Sequence, residues 1–262
     1  MRVDLALSDS TIMGYVSKLR KFLSFTNKPI DEITKDDVRN FLEAMKEKYA
    51  LNSYCNFLKA LSKLFKDYLG KPELSNFKYP SIPFKPKMLN FEKADLGKFY
   101  NAIENTEVQM LFLGYCVTGL RRDDLLYLEK SELNTEKRMI IKNNGSQTKH
   151  RWISFYNEEL ANLLHPYLEA KNNNNDRVFS LSRVTVFDKY WYNARSKTKI
   201  DITSKDLRTW FCVEMTNLGV PDKFIDAFCG RTPKTVLAKH YTDYSPKRLK
   251  AIYDKAQLRI LS

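Results

Sequence analysis

The sequence predicts a mainly α-helical protein in two parts: a small helical domain, then a larger α-rich domain carrying one small antiparallel β-sheet. Three observations predict it. Apolar residues recur at helical spacing over most of the chain. A proline- and lysine-rich stretch, Tyr79 to Lys87, interrupts that pattern. One short run, Arg138 to Phe155, has the character of a hairpin.

The first helix follows Asp9 or Ser10, either of which can cap it, and aligns Tyr15, Leu19, Phe22 and Phe25 on one face. The second follows Thr34, with Asp37 three residues on in capping-box spacing, and carries Val38, Phe41, Leu42 and Met45. The third runs from Asn52 with Tyr54, Phe57, Leu58, Leu61, Leu64, Phe65 and Tyr68, and Gly70-Lys71-Pro72 stops it. Pro80, Pro83 and Pro86 then forbid helix and favour an extended linker. This divides the chain into 1–78, a linker at 79–90, and 91–262. Beyond the linker, Phe91 to Thr118 reads as helix with a break near Asn105, and Arg121 to Leu128 as a further amphipathic helix. Arg138 to Ile141 and Arg151 to Phe155 read as strands joined by a turn at Asn143-Asn144-Gly145. Glu158 to Leu168 reads as helix, Asn172 to Asn175 as a polar loop, and Val184 onward as mainly helical.

Composition narrows the partner. With 262 residues, 43% apolar and 13% aromatic, the chain can bury a core. Its 44 Lys+Arg against 31 Asp+Glu leave +13, which attracts polyanions. Nucleic acid is the partner this favours, with a membrane surface or plain solubility as the simpler readings, and both parts share the excess: residues 1–90 hold 16 basic and 10 acidic side chains. No run approaches the roughly 20 apolar residues of a membrane span, and Met1 to Ser10 lacks the layout of a signal peptide. The expected location is therefore cytoplasmic. Cys55, Cys116, Cys212 and Cys229 are far apart, without CxxC spacing, and three read as buried small hydrophobes. With only three histidines, neither a disulfide framework nor a zinc site is expected.

Three clusters carry chemistry. In Thr118-Gly119-Leu120-Arg121 a glycine turn presents a forked cation at a helix start. In Thr203-Ser204-Lys205-Asp206-Leu207-Arg208 a capping box opens a helix whose Lys205 and Arg208 share a face and need an anion between them. Cys229-Gly230-Arg231 is followed by Lys239-His240-Tyr241, and a tyrosine among cations suits a nucleophile because positive charge stabilises its oxyanion. Taken singly, each cluster reads more simply as a solvated basic face or a packing tyrosine.

In order and spacing the three resemble the tyrosine recombinase (phage integrase) family. Thr118 to Leu125 resembles its T-G-L-R-x-x-E-L box, with Asp124 at the acidic position. Lys205 to Thr209 resembles H-x-L-R-H, Cys229 to Arg231 resembles L-G-H, and Tyr241 stands at the nucleophile's place. The resemblance runs from Leu111 to Lys255, and the N-terminal segment looks like the family's helical core-binding domain. Lys205 and Arg231 replace the usual histidines, a version that looks most like integrases of archaeal viruses and plasmids of the fusellovirus type.

The resemblance implies a DNA breaking-rejoining fold and a site-specific recombinase that integrates or excises mobile-element DNA. Arg121, Lys205, Arg208 and Arg231 would surround the scissile phosphate, with Asp124 orienting Arg121. Tyr241 would form a 3′-phosphotyrosyl link. A hairpin lysine would protonate the leaving 5′-oxygen: Lys149 is preferred and Lys142 is the alternative, since the position expected by alignment holds Ser146 or Gln147. Tyr244 is the alternative nucleophile. Arginine and lysine would do the charge work, so no metal, ATP or other cofactor is called for. The expected assembly is a homo-oligomer, dimer to tetramer, on double-stranded attachment-site DNA. The amphipathic tail after Tyr241, with Lys247, Arg248 and Lys250 against Leu249, Ile252 and Tyr253, would pack on a neighbouring subunit or on its own domain. The rival readings are relaxation of the type IB topoisomerase kind and a non-catalytic DNA-binding relative.

Overall fold

A computed structural model describes residues 7–142, 152–171, 176–181, 184–233 and 235–261. The chain divides into two compact units, Met1–Lys87 and Met88–Ser262. The described secondary structure is mainly helical, with one three-stranded antiparallel sheet. The expected turn at Asn143-Asn144-Gly145 and the polar loop Asn172 to Asn175 lie outside the described residues.

The first unit is built on α1 (Asp9–Thr26), α2 (Lys35–Lys48) and α3 (Leu51–Ser62). The cap of α1 is Ser8, not Asp9 or Ser10: its extended backbone lets the hydroxyl accept from Thr11 N–H. Asp9 thereby falls in the first turn, where a carboxylate complements the helix dipole. Thr34 and Asp37 close the expected capping box on α2. The helix after Ser62 widens to a π-turn over Lys63–Tyr68, and Gly70, at φ +66°, lets the chain leave. Aromatic rings fill the core: Phe22 meets Phe41 and Phe65 edge-on at centroid distances of 5.1 and 5.9 Å.

In the second unit, α4 (Lys93–Ala102) leads to α5 (Thr106–Thr118), with Asn105 capping α5 at the expected break. From Met110 to Thr118 every residue of α5 is buried, so it has no polar face and other elements pack all around it. Its one first-turn carboxylate, Glu107, accepts from Tyr167 Oη (2.7 Å) and from the Ser180 and Leu181 N–H groups (2.8 and 3.0 Å). The next helix, α6, covers only Arg122–Leu126, not Arg121 to Leu128. The backbone after it is drawn into strand-like pairing: Val178 N–H donates to Leu128 O and Lys130 N–H to Asp176 O.

The sheet runs β1 (Leu133–Asn134), β2 (Met139–Lys142), β3 (Trp152–Phe155). Leu133 faces Ile140, and Lys142 faces Trp152. The short β1 has no pattern that sequence alone would reveal. Arg138, expected in a strand, instead has φ +48° and turns the chain into β2. Two contacts fix the hairpin base. Ser154 Oγ donates to Thr118 O at 2.6 Å, and Lys142 Nζ meets Glu132 at 2.5 Å with both side chains buried.

Helices α7 (Glu158–Ala170), α8 (Val184–Thr198), α9 (Ser204–Asn217), α10 (Asp222–Phe228), α11 (Val236–His240) and α12 (Pro246–Ala256) complete the unit. The tail packs on its own domain. Leu249, Tyr253 and Ala256 are buried, and Tyr253 Oη donates to Val117 O at 2.7 Å. Glu159 then accepts from the Ile260 and Leu261 N–H groups, each at 2.8 Å. No described helix is long and apolar enough to cross a membrane.

The Lys142–Glu132 pair sets a stability expectation. Glu132→Ala leaves a buried ammonium without its partner and should lower unfolding free energy by about 3–5 kcal/mol in chemical denaturation, whereas Lys142→Met with Glu132→Leu should cost far less.

Candidate active site

Helix α5 ends on Gly119 at φ +64°, the left-handed turn that a side chain would strain. There is also no room for one: a Cβ on Gly119 would lie 2.5 Å from the Phe211 ring and 2.9 Å from Cys229 Sγ. The turn delivers Arg121 as the residue capping α6. Its guanidinium lies 5.9 Å from the centre of the Trp152 ring and 3.5 Å from Asp124, a loose ion pair. Because α6 is a single short turn with Asp123 and Asp124 in it, its N-terminus adds little positive field. The positive charge here belongs to side chains.

Helix α9 opens on the expected Thr203–Asp206 capping box. Lys205 is exposed in its first turn; its carbonyl accepts from Thr209 Oγ1 at 3.1 Å, and among the described residues no hydrogen bond or ion pair engages its ammonium. Arg208, one turn on, is half-buried. Its Nη1 donates to Gly119 O at 2.7 Å and its Nη2 to Cys229 O at 2.8 Å. One planar fork thus joins the first cluster to the third. Burial pulls the Arg208 pKa down, and the like charges of Arg121 and Arg231 add to that. The three guanidiniums therefore share one field.

Gly230, at φ +60°, follows α10, and a Cβ there would lie 2.6 Å from the Trp152 ring. Arg231 comes next, donating through Nη1 to Asp226 (2.8 Å) and through Nη2 to Cys212 Sγ (3.4 Å). Burial works against the Arg231 charge, but the Asp226 carboxylate and the neighbouring sulfurs outweigh it and the pKa rises.

Tyr241 ends the five-residue α11, no residue of which is buried. The side chain is 76% exposed, and among the described residues its phenol makes no hydrogen bond or ring contact. Tyr244 differs. It donates from Oη to Ala238 O at 2.8 Å and packs edge-on against Phe224. Of the two hairpin lysines, Lys149 lies outside the described residues, and Lys142 is held in the buried pair with Glu132.

The structure thus brings Arg121, Arg208 and Arg231 together, sets Lys205 on the Arg208 face of α9, and leaves Tyr241 free on a surface helix. Sequence reasoning missed Trp152, which lies against both Arg121 and Gly230, and the meeting of Cys212 with Cys229 at 3.6 Å. The one sequence signal for Cys212 is its place four residues after Arg208, on the same helical face. The Cys212 pKa falls to about 6, held down by the hydrogen bond from the Cys229 thiol and by the Arg231 and Arg208 charges. Cys229 moves up, since it supplies that hydrogen bond and is buried.

A helical domain followed by an α-rich domain with a small sheet, an arginine cluster and a free tyrosine together define the tyrosine recombinases, enzymes that cleave and rejoin DNA. Residues 90–248 match the phage integrase family, and residues 1–73 match the phage integrase N-terminal SAM-like domain. The chain belongs to the phage integrase family. It is 26% identical over 261 residues to tyrosine recombinase XerA of Pyrococcus horikoshii, covering 96% of this chain and 89% of that one. Its fold is similar to that of the Tn1549 transposon integrase in complex with transposon right-end DNA (TM-score 0.67, 17% identity, 96% and 95% of the two chains). It is also similar to lambda integrase, solved as a dimer bound to a COC′ core site (TM-score 0.68, 15% identity, 90% and 72%) and as a tetramer bound to a Holliday junction (TM-score 0.68, 15% identity, 88% and 74%).

The sulfur environment gives a pH dependence. A Cys212 pKa of about 6 means thiolate above that pH and thiol below it. Alkylation of Cys212 by iodoacetamide, followed by peptide mass mapping, should therefore reach half its plateau rate near pH 6. An ordinary cysteine titrates near about 8.5.

Proposed function

We propose that this recombinase is a mobile-element integrase of the archaeal virus and plasmid type, acting on duplex attachment sites as a dimer to tetramer. The observation that carries the site reading is the Arg208 fork. By binding both Gly119 O and Cys229 O it makes one cationic pocket of segments more than a hundred residues apart in the chain. The finer placement is supported by Lys205 and Arg231, which stand where other members carry histidine.

In this reading Arg121, Lys205, Arg208 and Arg231 hold the scissile phosphate and stabilise the charge that builds on its oxygens. Arg231 cannot give up its proton, so it serves as a fixed cation and not as a shuttle. Asp124 orients Arg121. The Tyr241 oxygen attacks phosphorus and forms a 3′-phosphotyrosyl bond as the bond to the 5′-oxygen breaks. Lys149 gives that oxygen its proton. A 5′-hydroxyl from another strand then attacks the phosphotyrosine, which restores a phosphodiester and frees Tyr241. The phosphoester energy is kept throughout, so no ATP is needed. The helical domain (1–78), the Pro/Lys linker (79–90) and the catalytic domain (91–262) each carry basic side chains for phosphate contacts that weaken steeply with salt. A second reading, Xer-type resolution of circular DNA, is favoured by the likeness to XerA along most of that protein's length. Insertion assays between sites on separate DNA molecules, against resolution of repeated sites in one circle, separate the two.

Two experiments test the residue roles. On a nicked suicide duplex carrying a site selected by binding from a random pool, the protein should form a DNA adduct that survives denaturation. Tyr241→Phe should abolish the adduct and Tyr244→Phe should retain it; the reverse would move the nucleophile. Lys149→Ala should slow cleavage by roughly 10²–10⁴-fold. A substrate with sulfur at the bridging 5′ position, whose leaving thiolate needs no proton, should restore its rate. Failure of that rescue would remove Lys149 from the acid's role.

A further inference from the structure

Two thiols lie inside the arginine pocket. Cys212 is on α9, one turn beyond Arg208, and Cys229 ends α10. Their sulfurs are 3.6 Å apart and both are free. A disulfide needs about 2.0 Å, so closure requires an approach of roughly 1.5 Å. The surroundings of the pair are the pocket itself. Arg231 Nη2 donates to Cys212 Sγ at 3.4 Å, the Cys229 sulfur abuts Gly119, and Cys229 O accepts from Arg208 Nη2. The two sulfurs are also unlike. Cys212 is partly exposed and Cys229 is buried, so a reagent from solvent meets Cys212 first.

We propose that Cys212 and Cys229 form a reversible disulfide that disables the phosphate pocket, an oxidation switch built into the active site. The proposal rests on the reading of Arg208 and Arg231 as phosphate ligands. The oxidant class is a hydroperoxide, with hydrogen peroxide as the probe. The Cys212 thiolate attacks one peroxide oxygen and the O–O bond breaks. The sulfur is oxidised to the sulfenic acid, and the departing hydroxide takes up a proton as water. Cys229 then attacks the Cys212 sulfur. The S–S bond forms, the S–O bond breaks, and the Cys229 proton leaves with hydroxide as a second water. Overall, two thiols and one hydrogen peroxide give one disulfide and two waters. A dithiol reductant returns two electrons and reverses it. The depressed Cys212 pKa supplies the thiolate at neutral pH.

The disulfide changes three contacts together. Arg231 loses the anionic sulfur it donates to. Cys229 is drawn toward α9, and its carbonyl, which holds one arm of the Arg208 fork, moves with it. The sulfur also leaves its seat on Gly119, whose carbonyl holds the other arm. Displacements near 1 Å in a site of this kind cost roughly a hundredfold in rate.

The test uses the full chain. Reduced protein is treated with hydrogen peroxide and digested without reduction, and its peptides are mass-mapped. Adduct formation on the suicide duplex is measured before oxidation, after it, and after dithiothreitol. A linked Cys212–Cys229 peptide pair, with adduct rate down roughly a hundredfold and recovered on reduction, is the expected result. Cys212→Ser should show the same rate with and without peroxide, whatever its starting rate, and Cys229→Ser, which can go no further than the Cys212 sulfenic acid, should yield no linked pair. Absence of the linked pair, or a linked pair with unchanged adduct rate, overturns the switch. A reduced protein that makes no adduct overturns the reading of the pocket instead. The peptide map, which needs no activity, still decides whether the thiols pair.

Discussion

The pocket depends on one side chain accepted by two carbonyls. Arg208 reaches from α9 to the turn that ends α5 and to the end of α10, and donates to both at hydrogen-bond distance. Each bond also answers a local need. Gly119 O and Cys229 O are helix-terminal carbonyls without a place in the regular ladder, and such groups must be paired when buried. The helix ends are satisfied by the cation, and the cation is immobilised by the helix ends. A guanidinium fixed this way is preorganised: its remaining donors are aimed before any anion arrives.

The neighbouring parts add constraints of a different kind. Gly119 and Gly230 both adopt left-handed backbone, and both lie so close to aromatic rings, Phe211 and Trp152, that no side chain fits. Trp152 in turn lies against Arg121, and Ser154 two residues on bonds to Thr118 O. The hairpin, the first glycine turn and the second are thus tied at one place. Burial depresses the Arg208 pKa, and the repulsion of Arg121 and Arg231 held nearby adds to it. An isolated protein therefore stores an electrostatic demand that a bound anion would meet.

Much of this was legible in the sequence for definite reasons. Capping boxes at Thr34 and Thr203 are local, since three residues determine them. The order of the arginines and Tyr241 was legible because a family pattern carries it, and the structure adds that Arg121, Arg208 and Arg231 share one field. Contacts between distant segments were not. Nothing in a separation of 17 residues says that Cys212 and Cys229 share a wall, and nothing in Trp152 says that its ring bears on Arg121. The length of α6 was misjudged because Leu126 and Leu128 fit a helical face, while pairing with residues 176–178 pulls the backbone out of the helix. The cap of α1 was misjudged because Ser8, Asp9 and Ser10 are all good caps and only backbone geometry chooses among them.

Helix α11 has a consequence of its own. It buries nothing, and it shows solvent Val236 and Leu237, at 71% and 63% exposure, beside Tyr241. Lifting this segment away breaks into no hydrophobic core, while covering its two aliphatic side chains is worth about 1.5–3 kcal/mol each. Tyr241 thus rides on a segment that holds no core side chain, and a surface that sheltered those two side chains would carry the phenol with it.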